Sequence, residues 1–106
     1  MLERQDCLTG KTIEVSLDCG HLYVVLNYQD DKLFEVFINL GKTGGCARAQ
    51  LEAISRLVSL GLRCGVDKKE IVDQLKEIRC PNQSVCKGNT YLSCADAVAK
   101  IIEKHS

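Results

Sequence analysis

The sequence predicts an α+β domain: an N-terminal antiparallel three-stranded meander covered on one face by three C-terminal helices. Three observations carry this. Apolar residues alternate with a period of two between Ile13 and Leu40. From Ala47 onward they recur instead at helical spacing. The two patterns are segregated along the chain, which favours α+β over an interleaved parallel sheet. A chain of 106 residues is one domain, 1–106, long enough for a real core and too short for two.

Each element has its own signal. Ile13, Val15 and Leu17 alternate with Glu14, Ser16 and Asp18 in a first strand, and Cys19-Gly20 breaks it. Leu22 to Leu26 is a second strand rich in β-formers. After the polar turn at Gln29 to Lys32, a third strand places Phe34, Val36, Ile38 and Leu40 on one face and Glu35 and Asn39 on the other. Short turns make the pairing antiparallel. Ala47, Leu51, Ile54, Val58 and Leu62 form the apolar stripe of a long helix, with Arg48, Glu52, Ser55, Arg56, Ser59 and Arg63 opposite, and Gly65 stops it. Asp67 to Glu70 is a capping-box-like start for a second helix carrying Ile71, Val72, Leu75 and Ile78, and Pro81 follows its end. Asn82 to Tyr91 reads as a polar loop. Ser93 to Asp96 repeats the capping pattern and opens a last helix with Ala97, Val98, Ile101 and Ile102. Residues 1–10 read as a loose arm.

Composition narrows the function. Lys+Arg and Asp+Glu number 14 each, which argues against a strongly basic nucleic-acid or membrane binder. No apolar run approaches the roughly 18–20 residues that span a bilayer. The charged start Met-Leu-Glu-Arg-Gln-Asp does not read as a secretory signal. A cytoplasmic protein is therefore expected. Seven cysteines is well above ordinary usage, and in a reducing compartment such a count points first to metal binding or redox chemistry. The odd number argues against a complete disulfide framework.

Four cysteines fall at the ends of predicted elements: Cys19 in the first turn, Cys46 opening the long helix, Cys80 past the second helix, and Cys94 just after the Ser93 cap. Helix N-termini favour a thiolate, the form that binds metal. Four converging thiolates suit tetrahedral zinc or an iron–sulfur cluster. The spacing is a weak signal alone, because no Cys-x-x-Cys occurs. Cys7, Cys64 and Cys86 lie in the arm, a helix's last turn and a loop.

The strings Cys19-Gly20-His21-Leu22-Tyr23-Val24, Phe34 to Lys42, Gly44-Gly45-Cys46-Ala47, Ile78-Arg79-Cys80-Pro81 and Leu92-Ser93-Cys94-Ala95-Asp96-Ala97 resemble the TSCPD domain. Leu92 stands at the Thr of the namesake motif and Ala95 at its Pro, while Cys94 and Asp96 keep its Cys and Asp. The resemblance covers residues 12 to 104 and centres on Cys19, Cys46, Cys80 and Cys94. It implies a stand-alone relative of the domain near the C-terminus of cobalamin-dependent ribonucleotide reductases, with a shared four-cysteine site. It implies no activity, since the reductase chemistry belongs to a large catalytic domain.

Gly41-Lys42-Thr43-Gly44-Gly45 before a helix invites a phosphate-loop reading, but the order of a P-loop is not met. A tight turn that orients Cys46 is the plainer reading. Lys42, Gly44, Gly45 and Arg48 nevertheless form a weak candidate site for a nucleotide phosphate. No nucleophile elbow or zinc-protease helix motif occurs.

The expectation is thus a non-catalytic binding module stabilised by zinc on four cysteines, with a protein partner in nucleotide metabolism. Two alternatives stand beside it: a redox protein holding an iron–sulfur cluster or running a thiol relay, and a nucleotide-binding module. Tyr23, Val25 and Phe37 project from the uncovered sheet face and mark a candidate homodimer interface.

Overall fold

The computed structural model describes residues 1–18, 20–41, 45–81 and 83–106. Its elements follow in the order β1 (Thr9–Leu17), β2 (Gly20–Gln29), β3 (Lys32–Leu40), α1 (Gly45–Arg63), α2 (Lys68–Leu75), β4 (Ser84–Cys86), β5 (Asn89–Tyr91) and α3 (Cys94–His105). β1, β2 and β3 form the antiparallel meander in that order. Val15 pairs with Leu22, and Leu22 with Leu40. The alternation of period two is thereby realised: Val15, Leu22, Val24, Leu26, Val36 and Leu40 all face one core.

The helices complete that core with Leu51, Val58 and Leu62 from α1, Ile71 and Val72 from α2, and Ala97, Val98, Ile101 and Ile102 from α3. Burying an aliphatic side chain of this size contributes about 1.5–3 kcal/mol, so this shared core is what holds the sheet and helices together.

Ser55 and Ser59 do not face water, as helical periodicity implies, but are buried against β3. The Ser55 hydroxyl donates to Val36 O at 2.6 Å, and Ser59 Oγ accepts from Val36 N at 3.0 Å. β3 is an edge strand, and α1 closes this part of its open hydrogen-bonding side.

The second helix is shorter than its apolar spacing predicts. It ends at Leu75, and Ile78 lies beyond it, exposed. Lys76 already leaves the helix in an extended conformation, φ −67° and ψ 148°, and Glu77 follows in the left-handed region with φ 66°. The segment read as a polar loop contains the β4–β5 hairpin. Lys87 and Gly88 both have positive φ, 51° and 82°, as a tight two-residue hairpin turn requires.

Residues 1–8, read as part of a loose arm, are tied across one end of the open sheet face. Leu2 N donates to Arg63 O, Gln5 N to Gln29 Oε1, and Gln29 Nε2 to Glu3 O. Arg4 and Arg63 both reach the carboxylate of Glu35, each at 3.0 Å. Asn27 donates to the same carboxylate at 3.1 Å, and a Cβ on Gly10 would collide with the Asn27 amide. Glu35 thus faces away from the core, as alternation predicts, yet is fully buried under the arm.

Candidate thiol-bearing pole

Several chain segments that carry or flank the candidate cysteines meet at one end of the molecule. β1 ends and β2 begins there, where Leu17 pairs with Gly20. β3 ends at the same level, and Gly41 N donates to His21 O at 3.0 Å. Gly20 has φ +135°, and a Cβ there would strike the Gly41 carbonyl, so glycine lets the start of β2 lie against the exit from β3.

α3 begins at this end too. At its far end, the His105 carbonyl accepts from Lys11 Nζ and Tyr28 OH, beside the start of β1. Ile13 and Val15 of β1 share a groove with Lys100, Ile101 and His105 of α3, so the helix runs along that strand and starts on the side where β1 ends.

The Cys80 region is held against the same helix start by Asp96. Ser93 caps α3, its hydroxyl accepting from Asp96 N at 3.0 Å. The Asp96 side chain does not return the bond to Ser93 as a capping box would. Instead Oδ1 accepts from Glu77 N at 2.7 Å and Oδ2 from Leu92 N at 2.9 Å, while Lys100 Nζ lies 2.8 Å from Oδ2. Burial pushes this carboxyl up, but the bonds from Leu92, Lys100 and Glu77, with the Lys100 charge, outweigh it and leave the carboxyl below the usual range. Cys80 N then donates to Leu92 O at 2.9 Å. That bond places Cys80 two residues from the Cys94 turn. Asp18 N donates to Ser84 Oγ at 2.8 Å, tying the end of β1 to β4.

Among the predicted ligands, Cys80 and Cys94 are half-buried and held on bonded neighbouring segments. Cys46 is exposed in the first turn of α1. Cys19 lies outside the described residues. The donors are of the type zinc and iron–sulfur clusters favour. Among the described residues, however, no three His, Cys, Asp or Glu side chains are placed to hold a metal ion. A four-cysteine centre would include Cys19, which lies outside the described residues.

In the phosphate candidate, Lys42 and Gly44 lie outside the described residues, whereas Gly45 starts α1 and Arg48 is exposed on it. His21 faces the open sheet surface, where its Nδ1 lies 3.0 Å from Glu14 Oε2 and 3.3 Å from Ser16 Oγ. Asp96 and Ser84 escape sequence reasoning as parts of this pole. Asp96 carries a legible capping signal, but its partners 19 and 4 residues earlier do not. Among the described residues, no helix is long and apolar enough to cross a membrane.

The family model described as the TSCPD domain matches residues 2–106, essentially the whole sequence. No solved structure matches the chain.

Proposed function

The chain belongs to the TSCPD domain family, and on that premise we propose that it is a small, non-catalytic accessory module whose fold is locked by a metal on Cys19, Cys46, Cys80 and Cys94. Zinc is the metal of choice, being redox-silent and tolerant of ligands brought from distant segments. With four protein thiolates its coordination is closed, so the metal supplies stability and leaves no open position for a substrate. The reading assigns the module to the cytoplasm, beside a protein partner in nucleotide metabolism.

The observation that carries it is the bond from Cys80 N to Leu92 O at the start of α3. It ties the segment carrying Cys80 to the turn just before Cys94, 14 positions further along the sequence.

Elemental analysis of protein purified anaerobically without added metal tests this, and about one zinc per chain is the expected result. Changing Cys19, Cys46, Cys80 or Cys94 singly to Ser should lose metal and lower the melting temperature together. Cys86→Ser should do neither, and equal metal loss in that variant sinks the ligand assignment. Iron with sulfide in place of zinc moves the module into redox chemistry.

A further inference from the structure

Helix α1 carries a second apolar stripe that the fold leaves uncovered. Ala49, Ala53, Leu57 and Leu60 are all exposed and follow one another at spacings of four, four and three, opposite the buried face. Leu57 is 68% and Leu60 51% exposed. Leu60 also borders a shallow groove with Phe37, itself 48% exposed, so the apolar surface continues onto the sheet. A solvated helix face carries polar residues at these positions, so the stripe calls for an occupant.

We propose that the occupant is a second copy of this chain, docked through antiparallel α1–α1 packing about a two-fold axis level with Ile54. The pattern of charge is self-complementary about that axis, and the pattern of size is so to within two residues. Glu52 and Arg56 flank the stripe on one side, exposed and paired within the helix at 3.0 Å. In an antiparallel pair, like flanks meet, and an axis at Ile54 sets Glu52 level with the partner's Arg56 and Arg56 level with the partner's Glu52. The same axis brings Leu60 within one residue of the partner's Ala49, and Leu57 within two of the partner's Ala53. Those offsets are about 1.5 and 3 Å along the helix. Large residues thus pack on small ones, which lets the helices approach closely.

The charge pairing centres on Ile54, and the two large-on-small pairings centre within one residue of it. A formal net charge of zero also removes overall repulsion between copies. A single helix pair with the Phe37 rim is smaller than a standard interface, which buries about 800 Å² per partner. The expected dimer is therefore a reversible one that dissociates on dilution.

Sedimentation equilibrium of the protein as purified, with reductant to prevent cross-linking by exposed cysteines, is the test. A monomer–dimer equilibrium in the micromolar range, about 1–100 μM, is expected for so small an interface. Leu57→Asp should abolish the dimer while leaving the melting temperature of the dilute monomer unchanged, because Leu57 is exposed there.

The charge register is read separately. Glu52→Arg and Arg56→Glu should each weaken self-association by about tenfold or more, through like charges set face to face. Mixed together, the two variants should form a heterodimer by native mass spectrometry. The intrahelical Glu52–Arg56 pair is broken in both variants, so it cannot produce that result. A wild-type chain that stays monomeric throughout this range overturns the proposal. So does a dimer indifferent to Leu57→Asp, which would move the interface to the sheet face or elsewhere, and so does a mixture that yields no heterodimer.

Discussion

Glu35 and Asp96 are both fully buried carboxylates, one near each end of the molecule, and different kinds of donor hold them. Glu35 is met by side chains: Arg4, Arg63 and Asn27. Asp96 is met mainly by the main chain, through the N–H groups of Glu77 and Leu92, with the Lys100 ammonium beside it. The distinction decides what each can organise. Arg4 and Arg63 are themselves 41% and 32% exposed, so they can return to water if Glu35 is lost. Main-chain groups in a part-buried turn have no such retreat. Glu35 fastens the arm and α1 to the sheet, whereas Asp96 holds both ends of the segment between α2 and α3.

Removing Asp96 should therefore have the largest effect. Asp96→Ala strands two part-buried N–H groups, at about 1–3 kcal/mol each, and frees the segment from Glu77 to Leu92 that presents Cys80. The expected result is a large drop in the urea midpoint together with faster alkylation of Cys80. An unchanged Cys80 alkylation rate would break the contrast, by showing that the loop holds its shape without the carboxylate.

Glu35→Ala should cost less, about 2 kcal/mol, because its charged partners regain water. Its mark should be local: limited proteolysis within residues 1–8, with the rate of Cys80 alkylation unaltered. Cleavage no faster than in the unaltered chain would show that the arm is held by its main-chain bonds alone.

The smallest and most selective probe is acid. Burial pushes the Glu35 carboxyl up, but bonds from Arg4, Asn27 and Arg63 and the Arg4 charge bring it below its ordinary range, and Asp96 is lowered too. A depressed folded-state value means that each carboxylate stabilises the fold fully above the unfolded value of about 4. That stabilisation drains away as pH falls through the lower folded-state value. Between about pH 4 and that lower value, stability measured in urea should decline less steeply in Glu35→Gln than in the unaltered chain. Equal slopes would remove Glu35 from the acid response and leave Asp96 and the surface carboxylates to explain it.

The same division runs through what the sequence reveals. The meander and the three helices announce themselves because each buries a periodic apolar face. The β4–β5 hairpin does not, since three-residue strands are too short to show a period and its first turn residue is Lys87 rather than glycine or asparagine. Ile78 extends the helical spacing on paper, but Glu77 turns into the left-handed region with its N–H held by Asp96, a tertiary effect. Ser55 and Ser59 look solvent-facing because a polar helix position reads the same whether it meets water or a strand edge. At the thiol-bearing pole, the placement of Cys46, Cys80 and Cys94 near element ends is legible from caps and breakers. The bonding that sets Cys80 beside the Cys94 turn is not, because it runs through a main chain whose partners no side-chain pattern encodes.

The two serine hydroxyls on Val36 also bear on how the chain survives its own synthesis. An uncovered strand edge is a template for pairing with other chains, and the danger is greatest before a nascent protein is complete. Val36 and its serines are only 19 and 23 positions apart. The meander can therefore blunt this stretch of its sticky edge as soon as the next helix has left the ribosome, before α2, the second hairpin or α3 exists.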